Sequence, residues 1–462
     1  MDKILPPNFE RSFKQADIRG VHVIEIDDDV AYLVARAFVD RGGYTKVAVG
    51  YDMRLSSPSL VEAFMRGVED AGADVLLIGL VTTPMLYFVS GSEQIAGVMI
   101  TASHSPAQYN GLKLVEPGAI PLTDRMGLKD ILRRIKQGKF NEPEKQGKRK
   151  ARVITKAFQK HVLSGINVKS LRGLKLAADV GNGMASVLIP LLEEKLPIEF
   201  TTIFADMDPR FPNRGSDPTL IKNQKALRVL LQSGGFDFGI SFDGDADRIA
   251  FLDETGAYLN AAVVGALISE HLLKQHPGGA IAYTTLTGKI LPEAVRAAGG
   301  KAVPAKVGHA FVKRTMAKHD ALFGAEQSGH FFFKAFFTTG SVVYTLRYML
   351  EIYVAAKAEG KRLSELVAPY QKYIQLEDEA ITVPDQKAGL AAVKVYLMAT
   401  FPEAKVTTFD GLMIQFPDAW GVVKASVTEP TLKVMFEAPK KRTAKRYQDQ
   451  VVAFIRTKVA KK

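Results

Sequence analysis

A chain of 462 residues with 47% hydrophobic and 24% charged content has the composition of a globular protein too long for one core, and at about 150 residues per domain it divides into three or four. It contains no cysteine, which excludes structural disulfides, thiol catalysis and thiolate zinc sites. Its net charge of +12 invites a nucleic-acid reading, so where the excess lies decides what it means.

The opening Met1-Asp2-Lys3-Ile4-Leu5-Pro6-Pro7 has no apolar signal-peptide core, and no later run reaches the length of a membrane span, so a cytoplasmic protein without a membrane partner is expected. Lys46 to Gly50 reads as a strand, Ser59 to Gly72 as an amphipathic helix, and Asp74 to Ile78 and Ala96 to Ile100 as further strands. This alternation predicts βαβ units and largely parallel sheets. Directly after the last of these strands comes Thr101-Ala102-Ser103-His104-Ser105-Pro106. A hydroxyl at a strand end stands where ligands of an α/β sheet bind, which makes Ser103 a candidate nucleophile with His104 beside it. The bland alternative is a helix N-cap. Asn110-Gly111-Leu112-Lys113 adds a turn and a cation nearby.

The first basic cluster, Arg133, Arg134, Lys136, Lys139, Lys145, Lys148, Arg149, Lys150 and Arg152, reads as a helix end followed by a linker. It lacks the interleaved aromatics of a single-strand binding surface, so attraction of an anionic small substrate explains the charge and no nucleic acid is expected. A second α/β domain begins at Lys175 to Asp179, followed by Gly181-Asn182-Gly183 and a helix.

That domain closes on Asp243-Gly244-Asp245-Ala246-Asp247-Arg248, set between apolar runs that read as strands. Three carboxylates this close repel one another unless a hard cation neutralises them, and oxygen ligands suit Mg²⁺. Arg248 offers a fork for phosphate oxygens. A Ca²⁺ loop of the EF-hand kind is excluded, because Arg248 stands where the sharp turn needs Gly and the flanks are strands. A solvated acidic turn and a phosphatase-like aspartyl nucleophile remain as alternatives, the latter requiring that no nucleophile lie elsewhere. A phosphate on Ser103 would fill the open position of such a metal.

A third segment carries a helix from Ala261 to Leu273, a strand from Ala280 to Thr284 and a long helix from Ser341 to Ala356. Within it, Glu326, Ser328 and His330 present acceptor and donor groups at alternate positions, suited to neighbouring sugar hydroxyls, with an ordinary loop as the alternative. His309, in Lys306-Val307-Gly308-His309, opens a helix. After Pro369 alternating strands at Leu412 to Phe416, Gly421 to Ala425 and Leu432 to Phe436 precede a helix from Arg442, opened by a second basic cluster, Lys440, Lys441, Arg442, Lys445 and Arg446. This predicts a smaller α+β domain with an antiparallel sheet. Lys424, near the end of one of these strands, with Ser426 and Thr428 in the link to the next, is suited to cradle a phosphate, the alternative being a polar hairpin.

Taken together these segments resemble the α-D-phosphohexomutase superfamily, most closely its bacterial phosphomannomutase/phosphoglucomutase branch, over essentially the whole chain and in the same order. Phe13 to Gly20 and Gly50 to Ser57 resemble two further N-terminal signatures of that group. The resemblance implies three related mixed α/β domains with largely parallel-type sheets (1–148, 149–254 and 255–368) and a smaller C-terminal α+β domain (369–462) around a central active-site cleft. It implies a Mg²⁺-dependent interconversion of hexose 1-phosphate and hexose 6-phosphate, of mannose or glucose, through a phosphoserine and a bisphosphorylated intermediate. Hexose 1,6-bisphosphate would be the primer and a monomer or dimer the assembly. Ser103 with Asp243, Asp245 and Asp247 would hold the metal; Arg19, Lys113, His309, His104 and Arg248 would move protons or stabilise phosphoryl charge. Glu326, Ser328, His330, Lys424, Ser426 and Thr428 would bind the sugar phosphate.

Four positions depart from the pattern. Ser105 stands for Asn, Ala16 for Tyr, Lys424 for Arg, and Val427 for Gly or Asn. Lys keeps the charge and loses the planar fork, and Val resists positive φ, so an altered phosphate grip is expected. The Glu326 loop also resembles that of phosphoglucosamine mutases, the alternative substrate class. A sugar-phosphate-binding homologue without turnover is the alternative of another kind.

Overall fold

The computed structural model describes residues 5–426 and 430–460. The chain forms two compact units, Met1–Asn260 with Ser328–Leu366, and Ala261–Gln327 with Val367–Lys462.

In the first unit, uninterrupted apolar runs become strands covered on both faces. Lys46–Tyr51 lies between Asp74–Leu80 and Ala96–Ile100 and runs parallel to both. Tyr109–Glu116 pairs antiparallel with Ala96–Ile100, and Ile18–Val21 closes that edge. Val30, Val34 and Phe38 of the helix Asp28–Gly42 meet Leu60, Phe64 and Val68 of the helix Ser57–Asp70 in the core over this sheet. At the opposite edge the basic segment expected as a linker contributes a strand instead. Arg149–Ala151 pairs parallel with Asp74–Leu80 although all three of its residues are exposed. Arg149 bridges Glu62 and Glu69 at 2.7 and 2.9 Å, which fastens this edge to the helix Ser57–Asp70.

A second sheet in the same unit centres on Leu174–Asp179, parallel to Ile198–Ile203 and to Phe238–Phe242. Phe238–Phe242 then pairs antiparallel with Ile249–Asp253. The aspartate loop is therefore the connection of a β-hairpin at the end of a buried strand. The Ile249 N–H donates to the Gly329 carbonyl at 3.0 Å, so the segment preceding the hairpin Phe331–Phe333/Thr339–Gly340 is anchored beside that loop.

The second unit has a parallel sheet with Ala280–Thr284 between Lys301–Ala305 and Phe323–Ala325, accompanied by the helices Ala261–Gln275, Ile290–Ala297 and His309–His319. Its other sheet is antiparallel, ordered Ile374–Gln375, Thr431–Ala438, Trp420–Ala425, Leu412–Gln415, Lys405–Thr408, and is backed by the helices Gln386–Thr400 and Lys441–Phe454. Mixed α/β sheets followed by a smaller antiparallel α+β region are the expected class. Among the described residues no helix is long and apolar enough to cross a membrane.

Candidate active site

Ser103 follows the buried strand Ala96–Ile100, is itself buried, and adopts φ +51°, a left-handed conformation that non-glycine residues rarely take. Its hydroxyl donates to Asp243 Oδ2 at 2.9 Å across 140 positions of sequence. His104 Nδ1 lies 3.4 Å from the same hydroxyl. Arg19, on the edge strand Ile18–Val21, is paired with Asp17 and donates through Nη1 to Ser105 Oγ at 3.3 Å. Ser105, one of the four positions that depart from the expected pattern, thus keeps a side-chain acceptor for Arg19.

Asp243, Asp245 and Asp247 are all buried, with ligand oxygens within 4.8 Å of one another. The loop turns tightly because the Asp247 and Arg248 amides donate to Asp243 Oδ1 at 3.0 and 3.1 Å and Ala246 takes φ +53°. Gly244 is required for close approach, since a Cβ there would stand 2.5 Å from the Ser103 carbonyl oxygen. Lys113 Nζ sits 2.6 Å from both Asp245 Oδ2 and Asp247 Oδ2. Among the described residues the Oδ1 atoms of Asp245 and Asp247 are buried without a hydrogen-bond partner, that of Asp247 having only the Arg248 Nε at 3.9 Å. Buried carboxylate oxygens left unpaired are costly unless a cation uses them. The donor set, oxygens alone, fits a hard divalent ion, so the group can hold a metal.

The electrostatics follow from this crowding. Burial and the charges of Asp247 and Asp245 push the Asp243 carboxyl well above the usual range. Burial alone would raise Asp247 too, but Lys113, then His330 and Arg248, overcome it and hold that carboxyl well below. Arg248 Nε lies 3.9 Å from both Asp243 and Asp247 and, with burial, drives the His104 imidazole well below its ordinary value. His330 is buried, stacked on Phe332 with centroids 4.3 Å apart, and acts on Asp247 from the anchored segment that also holds half-buried Ser328.

A second group of candidates belongs to the other unit. Glu326 Oε1 accepts the Gly308 N–H at 2.7 Å, immediately before His309 opens its helix. Lys424 Nζ is 2.7 Å from Asp410 Oδ2, which also accepts the Val307 N–H at 2.9 Å. The Ser426 amide donates to the Thr431 carbonyl at 2.9 Å. Val427 and Thr428 lie outside the described residues.

Four phosphoglucomutase/phosphomannomutase domain models match in succession: α/β/α domain I over residues 10–142, domain II over 156–256, domain III over 260–373 and the C-terminal domain over 378–454. The chain belongs to the phosphoglucomutase/phosphomannomutase family. It is 34% identical over 450 residues to a phosphoglucomutase of Neisseria meningitidis, covering 96% of each chain. It is also 34% identical over 439 residues to a phosphomannomutase of Salmonella typhimurium, covering 92% of this chain and 94% of that one. Among solved structures, a phosphoglucomutase/phosphomannomutase family protein of Burkholderia thailandensis superposes with a TM-score of 0.89 at 29% identity, covering 97% of this chain and 98% of that one. The chain is accordingly a phosphohexomutase of the α-D-phosphohexomutase superfamily.

Thr83 belongs to this candidate site and escaped sequence reasoning. Thr83 donates through Oγ1 to Asp245 Oδ2 at 2.5 Å and through its amide to the Asp245 carbonyl at 3.1 Å. The signal available was Thr82-Thr83-Pro84 directly after the strand Asp74–Leu80, a further polar strand end on the side where Ser103 lies.

Proposed function

We propose that the chain interconverts hexose 1-phosphate and hexose 6-phosphate, with glucose and mannose as the sugars, by way of a phosphoserine at Ser103. The supporting observation is the Ser103 hydroxyl 2.9 Å from Asp243, within a buried three-carboxylate group that a different sheet supplies. Mg²⁺ bound by Asp243, Asp245 and Asp247 with an oxygen on Ser103 would supply charge neutralisation on the transferring phosphoryl group. The protein's own residues do the positioning. Asp243 directs the Ser103 Oγ, Lys113 offsets the charge of Asp245 and Asp247, and Arg248 and Arg19 stand ready for phosphate oxygens.

In the first half-reaction the P–O bond of phosphoserine breaks as a sugar hydroxyl oxygen bonds to phosphorus; the hydroxyl proton passes to a base and the leaving Ser103 Oγ takes up a proton. The bisphosphorylated sugar, which is also the primer, then presents its other phosphate to the Ser103 Oγ; that oxygen gives up its proton and bonds to phosphorus as the P–O bond to the sugar breaks, and the released sugar oxygen is protonated, which restores phosphoserine and frees the product. His104 Nδ1 lies 3.4 Å from that Oγ and is assigned the serine proton, because the nearer Asp243 Oδ2, at 2.9 Å, is assigned to the metal. Glu326, Ser328 and His330 are assigned to sugar hydroxyls, His309 to phosphoryl charge, and Lys424, Ser426 and Thr428 to the distant phosphate.

The test is a coupled assay with glucose 1-phosphate, mannose 1-phosphate and glucosamine 1-phosphate, Mg²⁺ and a hexose 1,6-bisphosphate primer, alongside intact mass before and after phosphatase. Turnover of glucose and mannose phosphates with one phosphate mapped to Ser103 is expected. Preference for glucosamine 1-phosphate would move the substrate to the alternative that the Glu326 loop resembles. Phosphate on Ser103 without turnover of any of the three would make the chain a binding homologue.

A further inference from the structure

The loop that carries Ser103 is gripped by side chains that take no part in the chemistry above. Arg54 is 1% exposed, and each of its five guanidinium N–H groups has an acceptor. Nη2 donates to the carbonyls of Ser103 and Ser105 at 2.9 and 2.7 Å, and Nη1 to those of Pro106 and Tyr109 at 2.8 and 2.9 Å. Nε donates to Asp52 Oδ2 at 3.2 Å. The same Asp52 oxygen accepts from Thr101 Oγ1 at 2.6 Å, and Thr101 Oγ1 in turn accepts the Ser103 N–H at 2.9 Å. Asp52 Oδ1 takes the Ser57 hydroxyl at 2.7 Å and the Arg54 amide at 3.0 Å, so the carboxylate is fixed from both sides.

Ser103 is therefore held by its own amide through Thr101 and by its own carbonyl through Arg54, while its φ of +51° is one that backbone preference opposes. Release of either bond would let the residue relax toward negative φ and swing Oγ away from Asp243. Phe211 covers the guanidinium with its ring centroid 5.4 Å from Cζ, itself at φ +52°. We propose that Asp52, Arg54 and Thr101 form a frame of positioning residues that locks Ser103 in the left-handed conformation and so aims its hydroxyl at the metal loop. The catalytic part of this inference rests on the reading of Ser103 as nucleophile. A lysine could not replace Arg54, because a point ammonium with three donors cannot span four backbone carbonyls and a carboxylate.

Thr101→Val, Thr101→Ser and Arg54→Lys are compared with the wild-type chain in three readouts: kcat and KM on glucose 1-phosphate, amide hydrogen exchange of the peptide covering residues 101–109, and thermal midpoint. Thr101→Val is expected to lower kcat at least 30-fold with KM within threefold, and to speed exchange in 101–109 at least tenfold while peptides elsewhere are unchanged. Thr101→Ser, which keeps the hydroxyl, is expected to restore both to within threefold, and Arg54→Lys to follow Thr101→Val. Should Arg54→Lys fail to fold, the Thr101 pair decides alone. Wild-type exchange in Thr101→Val, or faster exchange with unchanged kcat, would overturn the inference. So would a loss that Thr101→Ser does not rescue. If the wild-type chain turns over no hexose phosphate, the functional reading falls, and the exchange comparison by itself then upholds or overturns the frame.

Discussion

Thr83 and Lys424 are the side chains at which the proposed metal and phosphate sites can each be tested with a single substitution. The hydroxyl of Thr83 and Lys113 Nζ both reach Asp245 Oδ2, leaving Oδ1 without a hydrogen-bond partner among the described residues. Groups that orient a metal ligand in this way typically govern metal affinity by 10–100-fold. Thr83→Val is expected to raise the Mg²⁺ concentration for half-maximal activity by about that factor, with Thr83→Ser close to wild type; a Mg²⁺ titration that leaves Thr83→Val unshifted would refute the role. At Lys424, the single ammonium is bound to Asp410 at 2.7 Å, which leaves it fewer donors for a phosphate than arginine would have. Lys424→Arg should therefore keep the Asp410 contact and lower KM for hexose phosphate by roughly three- to tenfold, about 1 kcal/mol of added binding. An unchanged KM would mean that lysine does not limit the grip.

The strand Thr431–Ala438 carries a buried carboxyl whose environment has a measurable pH signature. Burial pushes Glu437 up to about 7 from an ordinary 4.5, opposed by the Lys289 N–H bond and cation and assisted by Glu293. A carboxyl raised on folding favours the folded state while protonated, so its contribution is complete below pH 4.5 and is lost as pH rises through 7. The loss amounts to about 3 kcal/mol. Glu437→Gln is expected to remove it, so that the stability difference between variant and wild type in urea unfolding grows from pH 5 to pH 8. A difference no larger at pH 8 would sink the assignment. Elements with strong local signals were legible in the sequence: Ala96–Ile100 and Ala280–Thr284 fall where their apolar runs end. The helix Asp28–Gly42 went unread although Asp27 caps it by accepting the Val30 N–H at 2.9 Å, because three successive aspartates look like a solvated turn. Arg149–Ala151 had no signal to read. An exposed edge strand is defined by its partner's hydrogen bonds, not by its own hydropathy. The same division holds at the site: Ser103 and the aspartates announce themselves within a few residues, whereas Thr83 meets Asp245 across 162 positions and only the fold brings them together.

Across the whole chain the net charge of +12 is less a set of bare patches than the composition suggests. In the first basic cluster Arg133 and Arg134 pair with Asp130, Lys136 with Glu10, Arg149 with Glu62 and Glu69, and Arg152 with Glu93. In the second, Lys445 pairs with Asp449 and Arg446 with Asp418. Local pairing offsets part of each cluster at short range and leaves the net excess to act as a diffuse field, screened over a Debye length of about 10 Å at 0.1 M salt. A field of that kind raises the encounter rate of a phosphate dianion and does nothing for a bound substrate already committed to reaction. Raising NaCl from about 20 to about 300 mM is therefore expected to lower kcat/KM for hexose 1-phosphate by roughly three- to tenfold while kcat at saturation changes less than about twofold. Inhibition by the uncharged parent sugar, measured over the same range, should stay flat. A kcat that falls in step with kcat/KM would instead place the salt effect in the chemical step, at the Lys113, Arg248 and aspartate cluster itself.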